Sequence, residues 1–331
     1  MPFARRKKVI LDTDPGVDDA LAILLALRSP ELEVVGITTV CGNVPVEQAS
    51  ANLFRILSLV DPPRGLLIGQ GAAAPLQRPL ETATHVHGAD GLGDLDQFTN
   101  PNGRPRYPRP AVPARLPSAL EIWDRCNRAH GAGLTLVTLG PLTNLAEALR
   151  EAGAVVKAFG SITAMAGAIA VPGNVTRAAE FNVYVDPHAA EQVLQAHLPL
   201  TLVPLDVTSK VTMSREAIRK LTARTQDPVG QLFADATGAA LDFAERVEGA
   251  AVFPFHDPLA VAVAIDPSLV RAIPLHVAVE TEGVVAIGAT IADRRSLRST
   301  HKPNANVQVA MDVNADQARR LITERLCRMS S

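Results

Sequence analysis

Val9-Ile10-Leu11 is an apolar run that stops at Asp12. After Pro15-Gly16 the chain turns apolar again through Ala20–Leu27. This pattern predicts a buried strand, a Pro-Gly turn and an apolar helix. A β-branched strand follows at Leu32–Val40, then a helix at Val46–Val60 and a short strand at Gly65–Gly69. The rhythm resumes with a helix over Ser118–His130, a strand over Leu134–Leu139 that turns into another helix after Gly140, and strands at Ser161–Met165 and Thr201–Leu205. Helical stretches occupy Ser214–Arg224 and Pro228–Val247. Strand and helix in alternation predict an α/β fold, an open and mostly parallel sheet flanked by helices. Beyond residue 262 the character changes. Leu275–Glu280 and Val284–Ala292 read as a β-hairpin about Glu282-Gly283, and Asn306–Asp312 as a strand. Asn314-Ala315-Asp316-Gln317 reads as a capping box for a last helix to Leu326. The expectation is one catalytic domain over residues 1–331, with a small antiparallel β addition near the C-terminus.

Composition narrows the classes. A 331-residue chain with 47% hydrophobic residues can bury a large core. Its net charge of −2 gives no reason to expect nucleic acid or an anionic membrane as partner. The 3 cysteines are scattered, without disulfide or zinc spacing, which fits a reducing cytosol and a cytoplasmic protein. No apolar run reaches membrane-spanning length. Arg5-Arg6-Lys7-Lys8 is followed by no signal-peptide core and reads as a solvated tail. Asn100–Pro117, with six prolines and four arginines, reads as a surface excursion with solvated charges.

The chemistry gathers where the first strand meets the first helix. Asp12, Asp14, Asp18 and Asp19 fall within eight residues. On a strand, Asp12 and Asp14 face the same side. Asp18 and Asp19 sit in a helical first turn, where free N–H groups favour negative charge. A helix terminus accounts for one or two acids. An all-oxygen cluster of four suits a hard cation such as Ca²⁺ or Mg²⁺, with solvated acids as the plainer reading. Asn43, like Asp14, lies just past the C-terminal end of a strand, the edge at which open α/β sheets bind ligands. His85-Val86-His87-Gly88 opens a glycine-rich loop. Asn174, Glu180 and Asn182 offer donors and acceptors suited to sugar hydroxyls, and each is also ordinary turn chemistry. Asp186-Pro187 and Asp257-Pro258 read as helix caps followed by a first-turn proline. Asp206 reads as a cap, His188 as structural and Trp123 as packing.

Asp12-Thr13-Asp14-Pro15-Gly16-Val17-Asp18-Asp19-Ala20 resembles the N-terminal signature of the nucleoside hydrolases, the calcium-dependent inosine–uridine-preferring N-ribohydrolases. Four further motifs follow in family order: His87-Gly88, Gly140-Pro141-Leu142-Thr143-Asn144, Met165-Ala166-Gly167 leading through Gly173-Asn174 to Ala179-Glu180-Phe181-Asn182, and His256-Asp257-Pro258. The chain departs at Ala166, where the family has Gly, and at Leu139, where it often has Thr. The resemblance implies hydrolysis of the N-glycosidic bond of ribonucleosides, with a calcium-bound water as nucleophile. It implies Ca²⁺ held by Asp14, Asp19, the Leu139 carbonyl and Asp257, with Asp14 also the base. It assigns the ribose 2′- and 3′-hydroxyls to Asp18 and Asn182, the 5′-hydroxyl to Asn174 and Glu180, sugar packing to Met165, water orientation to Asn43, the nucleobase region to His87 ahead of His85, and proton donation to the leaving base to His256. It further implies a homodimer or homotetramer. Base preference leans nonspecific or pyrimidine-tolerant, because the lone Trp123 lies outside every motif. Two rivals remain: a Mg²⁺ phosphatase of the haloacid dehalogenase type with Asp12 as nucleophile, disfavoured by Gly16, and a ribose–calcium binding protein without turnover.

Overall fold

The computed structural model describes residues 6–131, 133–223, 225, 227–295 and 303–327. Arg5 of the basic run and Arg224 at the end of one expected helix lie outside them. In chain order the strands are β1 (Lys7–Thr13), β2 (Leu32–Thr39), β3 (Leu67–Gln70), β4 (Thr135–Thr138), β5 (Ser161–Ala164), β6 (Leu200–Leu202), β7 (Thr212–Ser214), β8 (Val252–Pro254), β9 (Val270–Leu275), β10 (Val277–Val279), β11 (Thr290–Ala292) and β12 (Val307–Val313). Eight of them form the central sheet in the order β3-β2-β1-β4-β5-β6-β12-β9. All neighbours in it run parallel except β9, which is antiparallel to β12.

β1 shows why helices cover both faces. Val9 and Leu11 point into one buried cluster with the helices Val17–Arg28, His256–Ile265 and Ala315–Leu326. Ile10 points into the other, with Ala119–His130, Thr143–Lys157 and Pro187–Gln195. This is the period-2 alternation of a strand buried on both sides. Trp123 packs in the second cluster, edge-on to Phe159 at 5.9 Å, and donates its Nε1–H to Thr38 Oγ1 at 3.1 Å.

The C-terminal part differs from the sequence reading. Val270–Leu275 is a strand the reading did not contain; it forms the sheet's antiparallel edge, where Pro274, lacking an N–H, is tolerated. The expected hairpin shrinks to β10 paired with β11 over three residue pairs. Val284, in the intervening turns, is 97% exposed. Asp206 does not cap its own helix. Its carboxylate reaches across and accepts the Ile169 and Ala170 N–H groups, both at 2.8 Å. The arginines of the proline-rich excursion are not simply solvated: Arg106 pairs with Asp235 at 2.7 Å and Arg109 with Asp96. No helix among the described residues is long and apolar enough to cross a membrane.

Candidate active site

The C-terminal ends of β1, β2, β4 and β5 carry the site. The ladder continues one step past them, through Val40 N–H to Thr13 O at 3.0 Å, Leu139 N–H to Asp12 O at 2.7 Å and Met165 N–H to Thr138 O at 2.9 Å. Asp14, Asn43, Leu139 and Met165 thus reach one rim by continuation of paired strands.

Asp19 is fully buried in the first turn of the Val17–Arg28 helix. It accepts from Thr13 Oγ1 (2.5 Å), Asp14 N (3.2 Å), Gly16 N (2.9 Å) and Asn43 Nδ2 (3.0 Å). Asp14 Oδ2 accepts from Asn43 N at 2.7 Å, whereas Asp14 Oδ1 is buried with no partner among the described residues. Gly42 and Gly140 crowd this carboxylate from two sides. A Cβ at Gly42 would stand 2.0 Å from Oδ2, and one at Gly140 would stand 2.6 Å from Oδ1. Asp12 does other work. Its Oδ1 accepts from Thr38 Oγ1 at 2.6 Å and Asn144 Nδ2 at 2.8 Å, tying the ends of β1 and β2 to the helix Thr143–Lys157. At 1% exposure it is closed to the nucleophilic role of the phosphatase reading.

Oxygens of Asp18, Asp19 and Asp257 lie within 4.8 Å of one another. This grouping shares Asp19 and Asp257 with the expected ligand set and brings in Asp18. Asp14 stands beside it, and its charge is felt at Asp257. Burial first, then mutual repulsion, pushes the Asp14 and Asp257 carboxyls well above the usual range. The same causes, burial and then Asp19, push Asp18 up to about 7. Carboxylates so arranged favour a cation among them.

The residues expected to face the sugar converge on a cavity of about 390 Å³ lined by Asp18, Asn43, Leu139, Met165, Asn174, Glu180, Asn182 and His256, among others. Asn182 Nδ2 donates to the carbonyls of Leu139 (2.6 Å) and Met165 (2.9 Å). Glu180 is buried and caps the helix Phe181–Val185, accepting from Asn182 N (2.8 Å), Val183 N (3.2 Å) and Gly167 N (2.9 Å). Asn174 Oδ1 accepts from Phe181 N at 3.0 Å, leaving its amide N–H₂ uncommitted to that bond.

Histidines line the same cavity. His87 Nδ1 accepts from Val17 N at 3.1 Å and lies 3.9 Å from Asp18 Oδ1. Burial pushes the His87 imidazolium down to about 4, against the pull of Asp19. His256 Nδ1 lies 2.7 Å from Thr208 Oγ1, and burial pushes its imidazolium down to about 4 as well. His85, ranked behind His87 by sequence, also lines the cavity, edge-on to Phe243 at 5.5 Å. The wall beyond is apolar: Ala240, Phe243, Ala244 and Val247 from one helix, with Phe181 and Phe253. Sequence reasoning missed Phe243, Phe253 and Thr208. The spacing of Ala240, Phe243, Ala244 and Val247 on one helical face was the available signal for that helix; Thr208 offered none.

A sequence model of the inosine-uridine preferring nucleoside hydrolases matches residues 9–320. The chain belongs to this family. It is a ribonucleoside hydrolase, an enzyme that cleaves nucleosides at the N-glycosidic bond to ribose and free base. The pyrimidine-specific ribonucleoside hydrolase RihA of Salmonella gallinarum is 36% identical over 96% of this chain and 97% of its own. Among solved structures, a plant nucleoside hydrolase superposes with a TM-score of 0.86 at 31% identity, covering 97% of this chain and 99% of that one. The purine-preferring ribonucleoside hydrolase of Gardnerella vaginalis gives 0.83 at 33% identity, with 97% and 98% covered. In this nucleoside hydrolase Asp18 and Asp257 belong both to the acid cluster and to the lining of the cavity at the sheet's C-terminal edge.

Proposed function

We propose that this hydrolase works with Ca²⁺ held by Asp14, Asp19, the Leu139 carbonyl and Asp257. The observation that carries the reading is Asp14 Oδ1, buried and unpartnered beside the Asp18, Asp19 and Asp257 group. A donor set of carboxylate and carbonyl oxygens suits a hard, flexible-coordination cation. When bound, such an ion supplies charge that polarises water and ribose hydroxyls.

The protein's own residues do the rest. Asp14 takes the proton from the attacking water. Asn43, bonded to both Asp14 and Asp19, keeps the two carboxylates in register and orients that water. Asp18 and Asn182 hold the 2′- and 3′-hydroxyl side of the ribose, Asn174 and Glu180 the 5′-hydroxyl, and Met165 packs on the ring. As the C1′–N bond breaks the sugar gains oxocarbenium character, and the nearby carboxylates stabilise that charge. His256 donates a proton to the departing base, with His87 and His85 on the same wall.

An apolar base end with histidine edges supports a tolerant base preference rather than a purine sandwich between tryptophans, since Trp123 is buried in the core. The buried free thiols Cys41, Cys126 and Cys327 support a cytoplasmic setting. One catalytic domain is supported by a family match that runs across the whole central sheet. The homodimer or homotetramer implied by the family resemblance is open to light scattering.

A reducing-sugar assay across inosine, adenosine, guanosine, uridine and cytidine, with inosine 5′-monophosphate alongside, tests the reading. Free ribose is expected from several bases and none from the nucleotide, whose phosphate would meet Glu180. Equal turnover of inosine and its monophosphate contradicts the 5′-hydroxyl assignment.

A further inference from the structure

We propose that Thr208 is a positioning residue that donates its hydroxyl hydrogen to His256 Nδ1 and so places the ring's own hydrogen on Nε2, the nitrogen left to the substrate cavity. The proposal rests on the reading of His256 as the donor to the leaving base.

Three observations carry it. Thr208 is fully buried at the end of the short helix Leu205–Thr208, and its Oγ1 lies 2.7 Å from His256 Nδ1. The hydroxyl makes no other side-chain hydrogen bond among the described residues. His256 lines the cavity, and among the described residues its Nε2 has no hydrogen-bond partner and is not among the buried unpartnered atoms.

A neutral imidazole carries one N–H and one acceptor nitrogen, and the partner of one fixes the other. If Nδ1 held the hydrogen and donated to Thr208, the hydroxyl's own hydrogen would be left in a buried place without an acceptor, a costly arrangement. Nε2 would then face the base as an acceptor, unable to give a proton. With Thr208 as donor every hydrogen has a partner or faces the substrate, and Nε2–H points at the leaving base. The step then balances without a charged ring at the start. Nε2–H donates a hydrogen bond to the base nitrogen or oxygen on which negative charge builds as the C1′–N pair departs. The base then takes its proton from water, and the ring stays neutral with Nδ1 held by the Thr208 O–H.

The experiment combines an NMR measurement with kinetics. In ¹⁵N-histidine-labelled wild-type enzyme, with His256 assigned by the signal lost in His256→Ala, the expected pattern is a protonated, pyrrole-like Nε2 and an unprotonated, pyridine-like Nδ1. A pyrrole-like Nδ1 overturns the proposal. In kinetics, Thr208→Val keeps shape and removes the hydroxyl. It is expected to lower kcat on natural nucleosides about tenfold to a hundredfold with KM little changed, a positioning loss that reaches at most the low end of what the acid itself contributes. Rates on p-nitrophenyl riboside, whose leaving group needs no proton, should hold. Thr208→Ser should restore most of kcat. Equal losses on both substrates in Thr208→Val, or no rescue by serine, contradict the positioning role. His256→Ala is run in parallel. If it spares natural nucleosides, the reading of His256 as acid fails, while the NMR result still decides the tautomer.

Discussion

Asn43 holds Asp14 and Asp19 at once: its backbone N–H donates to Asp14 Oδ2 at 2.7 Å and its side-chain amide to Asp19 Oδ2 at 3.0 Å. The two carboxylates come from opposite sides of a turn, and this residue from a neighbouring strand end sets their separation. Asp14 keeps one oxygen free; Asp19 has both oxygens engaged by protein donors.

That asymmetry separates their roles. Asp19→Asn should weaken calcium binding, and excess Ca²⁺ should recover part of the activity. Asp14→Asn should resist such rescue, because an amide does not take up a proton as a carboxylate does. The measurement is kcat against Ca²⁺ concentration for both variants, with calcium content determined directly. Full rescue of Asp14→Asn would leave it a ligand only and make Asp18 the next base to test.

Asn52 ties the acid turn to the histidine loop. Buried in the helix Val46–Leu57, its Nδ2 donates to Pro15 O and Asp90 O, both at 2.9 Å. One turn on, Arg55 holds the Asp90 carboxylate at 3.1 Å. Asn52→Leu keeps volume, strips the Pro15 carbonyl of this donor and leaves Asp90 O with only the long Gln48 Nε2 contact at 3.5 Å, at about 1–3 kcal/mol of stability. KM for nucleosides should rise as His85 and His87 lose their support, while calcium affinity changes little. Urea unfolding and steady-state kinetics check both. An unchanged KM beside a lowered stability would confine Asn52 to folding.

Stability of the metal-free protein should depend on pH in a defined direction. Asp12 and Asp18 are pushed from 3.8 up to about 7, mainly by burial, so the folded state binds their protons more tightly than the unfolded chain. Their stabilisation is complete below 3.8 and is lost as pH rises through about 7. His87 and His256 run the other way. Pushed from 6.5 down to about 4, they remove stability as pH falls below 6.5. The opposing effects offset each other between about 4 and 6.5, so the net loss should fall between pH 6.5, above which the histidines no longer titrate, and just past about 7, and level off beyond it. Calcium should flatten it, since the ion replaces protons among the carboxylates. Thermal unfolding from pH 6 to 9 with and without Ca²⁺ is the check, and a metal-free Tm that climbs over this range contradicts it.

The sequence was informative where chemistry is contiguous. Asp12 to Asp19 and His256-Asp257 read clearly because strand, turn and first helical turn set their placement locally. Other roles depend on what the fold brings across long separations. Thr208 meets His256 from 48 residues away, and Asn52 meets Asp90 from 38. Asp206 looked like a cap because caps are local; its partners are Ile169 and Ala170. β9 escaped notice because Pro274 argues against a strand, and only its place at the sheet's edge removes the objection.

The central claim is that ribose release depends on a cation in the acid cluster. The most direct test strips the enzyme with chelator, confirms the loss of metal by elemental analysis, and follows ribose release from inosine and uridine as Ca²⁺ is added back. The account predicts negligible release from stripped enzyme and recovery that saturates with calcium bound stoichiometrically to the chain. Undiminished ribose release from metal-free enzyme would contradict it.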